Sequence, residues 1–148
     1  MRIRIAVVED ITEQYEYVHK LLKVWAEQSG ESIAVTHVTC AEEYLISYSQ
    51  PDTFDILFLD VYMKQMNGME LAKEIREKFS NKSIWLYTGG TWDEVKHMRV
   101  IPYLDVLCDG EFEVDKKDEN THWVGSTNQR VIDVQKTLAE GNVVLYED

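Results

Sequence analysis

Leu57-Phe58-Leu59-Asp60-Val61-Tyr62-Met63-Lys64-Gln65-Met66-Asn67-Gly68-Met69-Glu70-Leu71 passes from an apolar run through one carboxylate and a short turn into an amphipathic pattern. The apolar run, from Phe54 to Asp60, predicts a central parallel strand buried on both faces. Asp60 then stands at the carboxyl end of that strand, where open α/β sheets place their chemistry. A second acidic pair, Glu9-Asp10, closes an earlier strand at residues 3–8. Three carboxylates at two strand ends can hold a hard divalent cation beside a carboxylate nucleophile.

Working outward, strand-like and helix-like segments alternate. Ile11, Tyr15, Val18, Leu22 and Trp25 recur at helical spacing, with Thr12 expected as N-cap and Gly30 as the stop. Residues 33–39 predict a strand, 41–49 a short helix, 69–79 a helix and 83–88 a fourth strand. Thr91-Trp92-Asp93-Glu94 is a capping-box sequence that opens another helix, and residues 103–108 predict a fifth strand. Strict βα alternation implies parallel strands joined by right-handed crossovers. The expected fold is therefore a doubly wound, flavodoxin-like parallel sheet of five strands.

Beyond residue 109 the texture changes. Residues 105–119 carry seven acids against Lys116 and Lys117. Residues 111–114 alternate as an edge strand would. Ser126-Thr127-Asn128-Gln129 has a capping-box pattern, which predicts a helix over 128–139 burying Val131, Val134 and Leu138. A last strand at 143–146 completes a strand-helix-strand extension. No linker-like or repeated segment interrupts the chain, so residues 1–148 are expected to form one domain.

With 148 residues, such a domain buries roughly two-thirds of its unfolded surface. A formal charge of −12 argues against nucleic-acid binding. No apolar run is long enough to span a bilayer and no signal peptide is read, so a cytoplasmic location is expected. Cys40 and Cys108 lack metal-ligand spacing and are expected to be reduced, buried thiols. The four histidines show no ligand spacing either, and the four tryptophans are expected to anchor the core.

Residues 3–90 resemble the receiver domain of response regulators, through Val7-Val8-Glu9-Asp10, the 57–71 stretch and Leu86-Tyr87-Thr88. The resemblance implies that Glu9 and Asp10 hold Mg2+ and that Asp60 accepts a phosphoryl group. It also implies that Tyr62 lends a backbone carbonyl to the metal and that Thr88 is the switch residue. The implied partner is a histidine kinase or a small phosphodonor, and the protein itself would not be an enzyme. Two loop positions differ from the family, with Lys64 in place of the usual Pro and Asn67 in place of the usual Asp. A third difference matters more. Receivers end strand five with a Lys that pairs with the phosphoryl group, whereas this chain has Cys108-Asp109-Gly110, and the added negative charge opposes phosphoryl binding.

Residues 83–148 resemble instead the C-terminal part of the anaerobic ribonucleotide reductase activating protein, a family of radical S-adenosylmethionine enzymes. The carrying stretches are residues 84–92, residues 105–112 and Gly125-Ser126-Thr127-Asn128-Gln129-Arg130-Val131-Ile132-Asp133-Val134. That family's iron–sulfur cluster depends on a Cys-x3-Cys-x2-Cys motif, which this chain lacks. The alternative to a receiver is therefore an inactive activase-like fragment or a chimeric scaffold. In either case residues 91–148 are expected to complete the receiver sheet.

Overall fold

A computed structural model describes every residue except Ser49, Pro51, Val61, Tyr62, Lys64, Gln65 and Asp148. Alternating β-branched residues build β1 (Arg2–Val8), which pairs in parallel with β2 (Ser32–Val38) and β3 (Ile56–Leu59) in the order β2-β1-β3. Between them run α1 (Thr12–Ser29) and α2 (Ala41–Ser47). Gly30 ends α1 in the left-handed conformation, at φ 73°, where a side chain would be strained. Ile11 rather than Thr12 occupies the N-cap of α1. Ile5, Ala6, Val7, Val8 and Val38 are buried and form the centre of this sheet's core.

α3 (Gly68–Lys78) follows, opened by a reciprocal bond pair in which Asn67 Oδ1 accepts Glu70 N–H and Glu70 Oε2 accepts Asn67 N–H. The second sheet contains β4 (Trp85–Tyr87), β5 (Val106–Asp109) and β6 (Arg130–Asp133) in the order β4-β5-β6. β5 pairs in parallel with β4 and antiparallel with β6. α4 (Trp92–Val95) carries the expected Thr91–Glu94 capping box, and α5 (Val134–Glu140) closes the order with Asp133 as its N-cap. The chain divides into two compact units, Met1–Ile75 and Arg76–Asp148, and the division falls inside α3.

The α/β class holds, but among the described residues the strands form two sheets of three in place of the expected five-stranded parallel sheet. β3 is not covered on both faces: the alternate side chains of Ile56 and Phe58 are about 40% exposed, and among the described residues it pairs with β1 alone. The extension is corrected as well. Arg130–Asp133, expected as the first turns of a helix, is an antiparallel strand, and the helix begins at Val134. Strand pairing with β5 satisfies backbone groups that the local capping pattern alone assigns to a helix. This shift in register leaves Leu138 46% exposed, while Val134 and Thr137 are buried. Residues 111–114 are a loop leading into a single 3-10 turn, Val114–Lys116. The last expected strand is reduced to one bridge, Ile132 to Leu145. The tryptophans are not core anchors: Trp25 and Trp123 are exposed, and Trp85 and Trp92 are half-buried.

Candidate functional site

The register of β1 against β3 places Val8 opposite Leu59, so the next residues, Glu9 and Asp60, emerge side by side at the carboxyl ends of both strands. Asp60 N–H donates to Val8 O at 3.0 Å, and Glu9 N–H donates to Val38 O at 3.0 Å. With Asp10, their carboxylates bring one oxygen each within 4.8 Å of one another. Glu9 is buried and accepts Ile11 N–H at 2.9 Å, which also fixes the entry into α1. Burial pushes the Glu9 carboxyl above its ordinary range, and the charges of Asp60 and Asp10 push it the same way. Ile11 N–H opposes the shift.

His37 on β2 donates from Nε2 to Glu9 O at 2.8 Å, and its ring stacks on Tyr15 at 3.8 Å with the planes 2° apart. Neither contact was signalled by residue spacing, because the stack joins α1 to the neighbouring strand. The expected site is thus assembled in part. Glu9, Asp10 and Asp60 converge in the first unit, whereas the Tyr62 assignment lies outside the described residues. Thr88 follows β4 in the second unit, where its Oγ1 accepts Gly90 N–H at 3.1 Å.

The second unit holds a buried carboxylate whose partner was not anticipated. Asp109, 1% exposed at the end of β5, receives Arg130 Nε at 3.0 Å and Nη2 at 2.5 Å. It also accepts Trp92 N–H at 2.8 Å, which fixes the start of α4. The negative charge of Asp109 is therefore met by Arg130. Antiparallel pairing sets Arg130 opposite Asp109 and makes the bidentate contact possible. The preceding loop is tied in by Gln129, whose Nε2 donates to Gly110 O while its Oε1 accepts Gly125 N–H and Ser126 N–H. Gln129 Oε1 thus reaches back as a capping-box side chain does, though no helix follows it.

The parallel strands and intervening helices of the first unit give a receiver-like α/β fold. In fold, the chain is similar to the response regulator TrrA of Thermotoga maritima, solved with Mg2+ and BeF, at 25% identity and TM-score 0.50 over 76% of this chain and 89% of that one. It is similar also to a CheY-like receiver domain protein of Methanospirillum hungatei, at 19% identity and TM-score 0.52 over 77% and 84%. A family model described as a 4Fe-4S single cluster domain matches residues 17–132, and the chain belongs to that family. The anaerobic ribonucleoside-triphosphate reductase-activating protein of Pasteurella multocida is 38% identical over 65 residues, which is 41% of each chain. The protein of the same name from Escherichia coli K12 is 40% identical over 65 residues, 43% of this chain and 42% of that one. The match spans about two-fifths of the length of these relatives. Both resemblances are thus supported, the receiver by fold and the activating protein by sequence.

Two expectations are overturned by these findings. The family match points to an iron–sulfur group rather than Mg2+ as the cofactor. The expectation of a non-enzyme gives way because the relatives are activating proteins of a reductase. The chain's own thiols do not fit a four-iron cluster, which Cys thiolates hold. There are only two, both free: Cys40 caps α2 in the first unit, and Cys108 is buried in β5 of the second. Burial pushes the Cys108 thiol up and away from the thiolate form that ligation requires.

Among the described residues, no helix is long and apolar enough to cross a membrane.

Proposed function

We propose that the protein works in the activation of an anaerobic ribonucleoside-triphosphate reductase, with residues 83–148 as the portion that engages the reductase. The observation that carries this reading is the identity of 38–40% to activating proteins, concentrated in about 65 residues. The second unit supplies the means of presentation. The Asp109–Arg130 pair and Gln129 fix both ends of the loop between β5 and β6. A fixed loop loses less conformational entropy on binding. In a titration of purified Escherichia coli anaerobic reductase, the chain is expected to bind and to displace that organism's activating protein. Failure to bind refutes the reading.

A second reading is favoured by the convergence of Glu9, Asp10 and Asp60 within 4.8 Å in the first unit. Here Asp60, just past the end of β3, acts as the phosphoacceptor. An Asp60 oxygen attacks the phosphorus of acetyl phosphate, an acyl phosphate forms on Asp60, and acetate leaves with the electron pair. Intact mass after incubation with acetyl phosphate is expected to gain one phosphoryl group. Asp60→Asn abolishes the gain. An unmodified parent chain rules this reading out.

A further inference from the structure

The loop after β5 holds apolar side chains in water on a firmly bonded frame. Phe112 is 48% exposed and Val114 75% exposed. Exposed apolar residues are common singly, and become informative when structure is invested in displaying them. Here Glu113 N–H donates to Ser126 Oγ at 3.2 Å, Thr127 N–H to Lys116 O at 3.0 Å, and Asn128 Nδ2 to Glu111 O at 2.8 Å. A bridge joins Lys117 to Ser126. A Cβ added at Gly125 would stand 3.0 Å from the Phe112 ring, so glycine lets the ring lie against the backbone.

The surrounding charge is one-sided. Residues 111–119 contain five acids and two lysines. Both lysines are already paired, Lys116 with Glu113 at 2.7 Å and Lys117 with Glu119 at 3.3 Å. The face offered by Phe112 and Val114 is therefore framed by net negative charge. Its complement is an apolar recess ringed by Lys or Arg. Such a frame also repels polyanions, which selects a protein surface over nucleic acid.

We infer that Phe112 and Val114, framed by Glu111, Asp115 and Asp118, dock into a basic, apolar recess on the reductase. This inference rests on the proposed role in reductase activation. Calorimetric titration of purified Escherichia coli anaerobic reductase tests it. The parent chain is expected to bind, and Phe112→Ser/Val114→Ser is expected to weaken binding at least tenfold. Asp115→Lys is expected to slow association and flatten its salt dependence. If the double variant unfolds, Val114→Ser alone carries the test, because that side chain already stands in water. Tight binding by the parent and by the variants alike overturns the inference and leaves the functional reading intact. A parent chain that does not bind overturns both.

Discussion

The two compact units handle buried negative charge in opposite ways. In the first, β1 and β3 end together and crowd Glu9, Asp10 and Asp60 within 4.8 Å, which raises the Glu9 carboxyl. In the second, the deeply buried carboxylate of Asp109 meets a bidentate guanidinium and a backbone N–H. Crowded carboxylates oppose folding unless a proton or a counter-charge relieves them. A satisfied ion pair fixes geometry, so Asp109 and Arg130 are positioning residues for the loop between β5 and β6. The lesson is to ask what neutralises an acid at a strand end before assigning it chemistry.

The largest effect is expected from breaking the neutralised side of this contrast. Arg130→Met strands a buried carboxylate, and denaturant unfolding should report a loss of about 3–5 kcal/mol in the second unit. The double variant Asp109→Leu/Arg130→Met should recover much of that loss. A single variant as stable as the parent would mean that Asp109 is solvated. A second break tests whether the units fold as one cooperative domain, as we propose. Truncation after Gly90 removes β5, the strand that pairs with β4, and should give an insoluble or molten fragment. A soluble fragment with a cooperative melt would make the units independent.

A smaller effect is expected on the crowded side, and its sign follows from Glu9. Its carboxyl is raised in the folded protein, so the folded state binds more protons than the unfolded state between the ordinary and raised values. Stability is then lost as pH rises through that window. In chelator at neutral pH, Glu9→Gln should raise the melting temperature, since Gln still accepts Ile11 N–H. That gain should vanish below the ordinary carboxylate range; a gain that persists in acid would assign the effect to packing. The smallest effect belongs to Leu138→Ala, expected within about 0.5 kcal/mol because the side chain is exposed. A loss of several kcal/mol would instead restore the buried helical stripe expected from periodicity.

Much of the first unit was legible because its signals are local and agree with one another. Residues 3–8 read as a strand and fall within β1, and Gly30 stops α1; Thr91 with Glu94, in the second unit, opens α4 by an equally local signal. The convergence of Glu9, Asp10 and Asp60 was also foreseen, since parallel neighbours in register end together. The second unit was less legible where two local signals competed with a distant one. Ser126 and Gln129 make their capping contact, yet Arg130–Asp133 pair with β5. The Asp109–Arg130 contact spans 21 residues, and no periodicity encodes it. Trp85 illustrates the same limit, resting in ring contact with Trp123 and Tyr146 rather than anchoring a core.

By itself, the sequence determined the alternation of strands and helices, the placement of acids at two strand ends, and the presence of only two thiols for a family named for a four-iron cluster. These depend on side-chain period, turn chemistry and ligand count, all of which act over a few residues or none. Only the tertiary structure decided that β3 pairs on one edge, that Arg130 belongs to a strand, and that Asp109 is neutralised. Each depends on which backbone or charge lies opposite across a sheet. Pairing there is won by satisfying buried polar groups, whatever the local pattern prefers.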